Sequence, residues 1–426
     1  MKICLLSFHC CPHSLIGGDG VGGMNVYIKE LGAALAEFPD VRIDVFTRRQ
    51  STDRKRIHVL SPSLRVIHLE GGPAKPLDRR ELYDFLPEFI ENLVEFMLGE
   101  EEPYDLIYSH YWLSGLVGEW IKYRFNLPLV HTYHTLAFLK KQVLREGEHE
   151  YRNAAERHLA LITDMIISSS REEKDSLTRE FEIAADSLRV IYPGVNKDLF
   201  CPVPAEELPS CDEAESCLLY VGRIEPVKGL MDIVGAMGIL REKAPELFSR
   251  VCLKVIGGGR MGQDDFFANE EIRRIRDSLC AQGMENKVQF LGSMPQEDLK
   301  RFYSVAEALV VPSLYESFGL VVVEALACGT PVLVSKIGKM QSIVKDGSTG
   351  FSFRPNDPAS LATCLQYFFA HKDSLWTGEK IRSDVTERFS WGKTAEQTYR
   401  AFEELVKNHV KGATTRPPRD ETPRPA

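Results

Sequence analysis

Glu316 and Glu324 flank seven residues in PSLYESFGLVVVEALACGTPVL, where two apolar runs meet across a short polar stretch. The run ending at Pro312 reads as a strand, the next residues as a loop, and Phe318–Gly319 as the opening of a helix. A helix N-terminus offers unpaired N–H groups that suit a phosphate. Glu324, about a turn and a half inside that helix, can accept hydrogen bonds from ribose hydroxyls, and Glu316 on the loop can address a sugar. The blander readings make Glu316 a turn residue and Glu324 a helix-dipole partner. Paired acids in a strand–loop–helix setting favour the binding role.

YVGRIEPVKG ends a strand near Arg223 and places Lys228 five residues later on the following loop. Two cations at the carboxyl edge of a sheet would meet the charge of a departing nucleoside diphosphate. On an ordinary surface the same pair would simply be solvated, so its place after a strand is what argues for function. Gly18, Gly20 and Gly23 satisfy G-x-G-x-x-G, and Asp44 follows about 20 residues on, as a dinucleotide fingerprint asks. The strand before them ends near Phe8, too far upstream for the tight Rossmann turn. The loop is read instead as a diphosphate contact at the N-terminus of the helix opening at Gly23–Met24, with a flexible surface loop as the alternative. His9, Cys10, Cys11 and His13 also lie together. Adjacent cysteines seldom chelate one ion and no second ligand pair follows at zinc spacing, so they read as a loop and no metal is expected.

Strands and helices in alternation must carry these residues. KICLLSF, RIDVFT, LRVIHL, DLIYSH, LPLVHTYH, DMIISSS and LRVIYPG read as strands, with helical patterns such as GMNVYIKELGAALAEF between them. The pattern pauses around Pro193–Gly194, and residues 201–216 are rich in Pro, Glu and Cys. It restarts with CLLYVGR, VCLKVIGG, KVQFLG, ALVVPS, TPVLVS and TGFSF. The fold class expected is α/β, with two facing Rossmann-like doubly wound domains and a ligand cleft between the carboxyl ends of their sheets. Residues 1–196 form the first domain and 197–390 the second; 391–411 form a final helix packing back towards the first, and 412–426 a disordered tail.

With 426 residues the chain exceeds one ordinary core, and its net charge of -9 gives no basic footprint for nucleic acid. Nothing approaches the roughly 20 apolar residues of a membrane span, and the N-terminal run reads as a first strand, not a signal. Peripheral membrane contact and a homodimer stay open. Ten cysteines scattered without CxxC pairs suit a reduced, cytoplasmic protein.

The chain resembles glycosyltransferase family 4, of the two-domain GT-B fold, over nearly its whole length up to the tail. SFHCCP, GDGVGGMNVYIKEL, SHYWLSGLVG, LVHTYHTLAFLKK, GRIEPVKG, VVPSLYESFGLVVVEALACGTPV and FSW carry the resemblance. Within the family it is most similar to the mycothiol-pathway transferases that move N-acetylglucosamine onto inositol 3-phosphate, and less so to sucrose-phosphate synthases. The resemblance makes the first domain the acceptor side and the second the nucleotide-sugar side. It implies that Gly23, Arg223 and Lys228 contact the donor diphosphate, that Glu316 meets the donor sugar, and that Glu324 holds the ribose. Ser317, Phe318, Gly319 and Leu320 complete the donor set. His134 matches a histidine near the reacting sugar, so His134, Glu316, Arg223 and Lys228 are the expected catalytic group. The acceptor pattern maps onto Asn25, Arg79, Tyr111, Thr135 and Arg152. Here the chain departs from the pattern: Arg79 stands where lysine is usual, Tyr133 replaces a small residue, and Lys339 replaces a glycine.

The implied reaction moves a hexose or N-acetylhexosamine from a nucleotide diphosphate sugar, with UDP expected, to a hydroxyl of a small phosphorylated polyol or sugar, with retention. No Asp-x-Asp occurs, so positive charge and helix N-termini would stabilise the leaving diphosphate without a metal, and no cofactor beyond the nucleotide sugar is required. The alternatives are a lipid or polysaccharide acceptor, or a Rossmann oxidoreductase using the Gly18–Gly23 loop. The partners expected are thus small molecules, not nucleic acid.

Overall fold

In the first half of the chain, short Ile-, Leu- and Val-rich runs form β1 (Lys2–Leu6), β2 (Arg42–Arg48), β4 (Leu64–Leu69), β5 (Leu106–His110), β6 (Leu129–Thr132), β7 (Met165–Ser168) and β8 (Leu188–Val190). They pair in parallel, and helices cover both faces, which is why the runs are continuously apolar. β3 (Ile57–Ser61) adds an antiparallel edge against β4. The sequence reading missed it because its residues are exposed and carry no apolar run. The computed structural model describes residues 1–13, 22–78, 80–144, 150–204, 216–259 and 269–414, with 206, 208 and 266 besides.

A second sheet holds β9 (Ser216–Val221), β10 (Val251–Ile256), β11 (Val288–Gly292), β12 (Ala308–Val311), β13 (Val332–Ser335) and β14 (Gly350–Phe353). The strand orders are β3-β4-β2-β1-β5-β6-β7-β8 and β11-β10-β9-β12-β13-β14 among the described residues. Both sheets therefore reverse direction once, between β1 and β5 and between β9 and β12. In doubly wound sheets such reversals open a crevice at the carboxyl ends of the strands. The expected α/β architecture of two doubly wound sheets is present.

The chain crosses between the two units twice, and the crossings lie side by side. Val195 bridges Ser390, and the Thr394 hydroxyl donates to the Tyr192 carbonyl at 2.8 Å. Gly194 is required at this contact, since a Cβ there would stand 2.2 Å from the Trp391 nitrogen. The final helix, Trp391–Thr414, returns its apolar face to the first sheet, where Trp391, Ala395, Ala401 and Phe402 join that core. It runs three residues beyond the expected helix end at 411, since the first proline after Trp391 is Pro417. Residues 415–426 lie outside those described. None of the helices among the described residues is long and apolar enough to cross a membrane.

Candidate functional site

Around the second reversal, β9 delivers Arg223 and β12 delivers the loop of Glu316. A short turn of helix, Pro226–Lys228, follows β9, and its Val227 carbonyl accepts from the Leu314 N–H at 2.8 Å. The two loops are thereby tied together. Lys228 Nζ donates to Glu316 in an ion pair largely shielded from solvent, and the Ser313 hydroxyl reaches the same carboxylate oxygen at 3.2 Å. Arg223 sits further out and pairs with Glu225 at 2.6 Å. Two cations and two acids thus line one edge, and a diphosphate could take the place of either acid.

The helix Leu320–Ala327 opens beside them, capped by Gly319 at φ 98°. That left-handed backbone suits glycine, and a Cβ there would also press on Met340 at 2.7 Å. Glu324 lies one turn inside and is 5% exposed. Burial raises its carboxyl to about 7, while the Tyr303 hydroxyl at 2.9 Å and the Gln296 amide at 3.2 Å pull the other way. It lines a cavity with Gln296, Leu320, Asn196 and, from the first domain, Val26 and Glu30. The Phe318 ring is buried against Tyr192 and Phe389, so it braces the loop from the core.

Across the cleft, β5 and β6 are followed by Tyr111 and His134, two non-glycine residues at positive φ (72° and 59°). Such conformations cost energy and persist where surrounding structure enforces them. His134 Nε2 lies 2.9 Å from His110 Nδ1, and its ring meets Tyr27 edge-on. Burial lowers His134 to about 3 and His110 well below the usual value, so both rings are neutral.

Tyr111, Thr135 and Arg152 are brought together. The Arg152 guanidinium lies 4.9 Å from the Tyr111 ring centre and donates to the Thr135 carbonyl and hydroxyl at 2.8 and 2.9 Å. It also pairs at 2.7 Å with Glu156, whose other oxygen accepts from the Ala137 N–H. Asn25 is turned to a different task. Its amide donates to Cys10 Sγ and the Cys11 carbonyl, and its oxygen accepts from Gly22, so it fastens the loop after β1 to the helix Gly23–Leu35. Arg79, Gly18 and Gly20 lie outside the described residues, as does the side chain of Lys339. Cys11 Sγ lies 3.4 Å from His68 Nε2, and among the described residues no group of three or more His, Cys, Asp or Glu is placed to hold a metal.

The two halves also meet at the residues flanking Glu316. The Ser317 hydroxyl donates to the His134 carbonyl, and the Ser169 hydroxyl donates to the Ser317 carbonyl at 2.8 Å. The Leu136 N–H donates to the Tyr315 hydroxyl at 3.2 Å. Gly23, at the start of its helix, faces Leu320 across the cleft, with 3.4 Å from its would-be Cβ to Leu320 Cδ1. Two helix N-termini therefore converge on one place, which favours an anion. Sequence reasoning missed Glu225, Gln296, Tyr303, Ser169, Tyr315 and His110. Of these, Glu225, Tyr315 and His110 lie within GRIEPVKG, VVPSLYESFG and SHYWLSGLVG, beside residues that the sequence does mark. Gln296, Tyr303 and Ser169 are distant from those residues in sequence and carry no spacing signal.

Residues 209–388 match the family model described as Glycosyl transferases group 1, and residues 21–199 match that described as Glycosyltransferase Family 4. A D-inositol 3-phosphate glycosyltransferase of Streptomyces scabiei is 33% identical over 96% of this chain and 92% of its own. One of Corynebacterium diphtheriae is 32% identical over 93% of each. The solved sucrose-phosphate synthase of Thermosynechococcus elongatus is 34% identical and superposes with a TM-score of 0.85, covering 96% of this chain and 99% of that one. An Anabaena protein, HepE, solved with UDP and glucose, shares the fold at 18% identity and a TM-score of 0.71, covering 95% of this chain and 100% of that one.

Proposed function

The chain belongs to glycosyltransferase family 4, and from that premise we propose that it moves a hexosyl or N-acetylhexosaminyl group from a UDP-sugar to a small phosphorylated polyol or sugar, with retention. It is a glycosyltransferase of the GT-B fold, and the finer assignment rests on the site. One observation carries it: the Lys228–Glu316 pair sits beside two facing helix N-termini, with buried Glu324 a helical turn away. Lys228, Arg223 and the N–H groups near Gly23 and Gly319 would hold the diphosphate and stabilise its charge as the sugar leaves. Glu316, released from Lys228 when the diphosphate binds, would accept from the sugar hydroxyls. Glu324 would accept from the ribose.

The acceptor would lie beside Tyr111, Thr135 and Arg152, in the unit of residues 1–196, with the donor on 197–390. A phosphorylated acceptor is supported by a buried arginine in that place and by relatives named for inositol 3-phosphate and sucrose phosphate. Retention would follow from attack on the face the diphosphate leaves, with a donor phosphate oxygen taking the acceptor proton. A glycosidase-like alternative would need two carboxylates flanking the bond, whereas Glu316 is bound to Lys228 and Glu324 is enclosed by Gln296 and Tyr303. Closure over the donor would exclude water, whose attack is the competing reaction. The test is an activity matrix pairing UDP-N-acetylglucosamine, UDP-glucose and GDP-mannose with inositol 3-phosphate, sugar phosphates and lipid acceptors, with product anomers read by NMR. Transfer only from GDP-mannose, only to lipid, or with inversion would each overturn the corresponding part.

A further inference from the structure

His110 lies behind His134 and is wholly buried, whereas His134 is half-buried at the cleft. With 2.9 Å between His110 Nδ1 and His134 Nε2, one nitrogen carries the shared proton and the other the lone pair. The other nitrogen of His110, Nε2, has no hydrogen-bond partner among the described residues. If the His110 proton sat there, a buried N–H would go unpaired while Nδ1 accepted from His134. If it sits on Nδ1, it is donated to His134, and only a lone pair at Nε2 goes unpaired. Buried acceptors without partners are tolerated better than buried N–H groups without them. His131, the neighbouring buried histidine, follows the same pattern. The Ser109 hydroxyl lies 3.2 Å from the Val130 carbonyl and 2.8 Å from His131 Nδ1, while His131 Nε2 is again without a partner among the described residues, so the same argument puts the His131 proton on Nδ1, donated to that hydroxyl.

We propose that His110 is a positioning residue that locks His134 as its Nδ1–H tautomer, so that the ring offers the cleft a hydrogen-bond donor and not a base. His134 Nε2 is occupied as the acceptor of the His110 proton, which leaves Nδ1–H as the only polar group the ring can turn to a substrate. The neutrality of both rings fits this, since burial holds them unprotonated throughout the physiological range. The inference rests on the reading of His134 as a residue at the reacting sugar, and it narrows that role. His134 would donate to a substrate oxygen, and the acceptor's proton must go elsewhere.

The test uses the full chain labelled with ¹⁵N-histidine, with long-range ¹H–¹⁵N correlation reading the protonation of each ring nitrogen and His134→Asn assigning the signals. Wild type should show His134 protonated at Nδ1 and bare at Nε2 without any substrate present. Two replacements of similar size separate hydrogen bonding from packing. His110→Asn can still donate from its amide near the old Nδ1, and should keep the His134 tautomer and most of kcat. His110→Leu cannot donate; it should mix the tautomers and lower kcat by about tenfold to a hundredfold, with the donor KM little changed. A wild-type His134 protonated at Nε2 would overturn the proposal, as would identical tautomers in the Asn and Leu variants. Because the tautomer is read without turnover, a failure to transfer sugar would count against the functional reading and leave this result standing.

Discussion

Glu324→Gln removes a charge that the fold holds against the preference of its surroundings. The residue is 5% exposed, and burial moves its carboxyl from 4.5 to about 7 despite hydrogen bonds from Tyr303 and Gln296. Each pH unit across that interval is worth about 1.4 kcal/mol, so the ionised acid costs folding about 3 kcal/mol above pH 7. The folded chain binds this proton more tightly than the unfolded chain does. Stability from protonated Glu324 is therefore complete below 4.5, declines as pH rises, and is lost above about 7. Glutamine cannot ionise, and Gln296, whose Oε1 has no partner among the described residues, can turn its amide to pair with it. In urea denaturation, wild type should lose about 3 kcal/mol relative to the variant between about pH 4.5 and 8. The same acid should favour ribose hydroxyls when ionised, so UDP binding by wild type should tighten through about pH 7 and release a proton. Calorimetry in buffers of different ionisation enthalpy would read that release. A stability difference that stays flat with pH would refute the burial account. UDP binding by the variant as tight as by wild type would refute the ribose role.

Lys228→Ala should lower kcat/KM by about a hundredfold to a thousandfold with an unchanged circular dichroism spectrum; near-normal turnover would remove Lys228 from the donor site. Arg152→Ala should raise the acceptor KM and destabilise the fold by about 3–5 kcal/mol, because Glu156 loses its buried cation. Adding Glu156→Gln should recover the stability but not the KM, and recovery of both would assign Arg152 a purely structural role. Tyr315→Phe removes the hydroxyl that meets the Leu136 N–H, at a cost of about 1 kcal/mol to the closed arrangement. The ratio of free sugar released to sugar transferred should rise; an unchanged ratio would show that this contact does not guard the donor from water.

The parts of the fold legible in the sequence are those with one dominant physical cause. The parallel strands announce themselves as apolar runs because both faces are covered, whereas β3 has solvent on it and leaves no such mark. The loops after β9 and β12 were legible because strand ends, turn residues and charged side chains fall within a few positions of one another. The partners that tune those residues were not. Tyr303 and Gln296 reach Glu324 from a different helix, and His110 touches His134 across 24 positions. The burial of the Phe318 ring was not legible either: inside a motif rich in apolar residues, nothing in the spacing separates a ring that faces solvent from one that fills the core.

One contact between the two units falls on the residues adjacent to Glu316, and this has an energetic consequence. Ser317 and Tyr315 make three hydrogen bonds to the first unit, through His134, Ser169 and Leu136. Each is worth about 1 kcal/mol net, so together they are too weak to hold the cleft shut against its own opening. They are strong enough, however, to bias the population of the closed arrangement once a ligand adds its own preference. A diphosphate at Lys228 would free Glu316 from its ion pair and set the loop that carries Ser317 and Tyr315. Donor binding and closure would then act through one loop, and the sugar would be enclosed only when the diphosphate that must leave is already held.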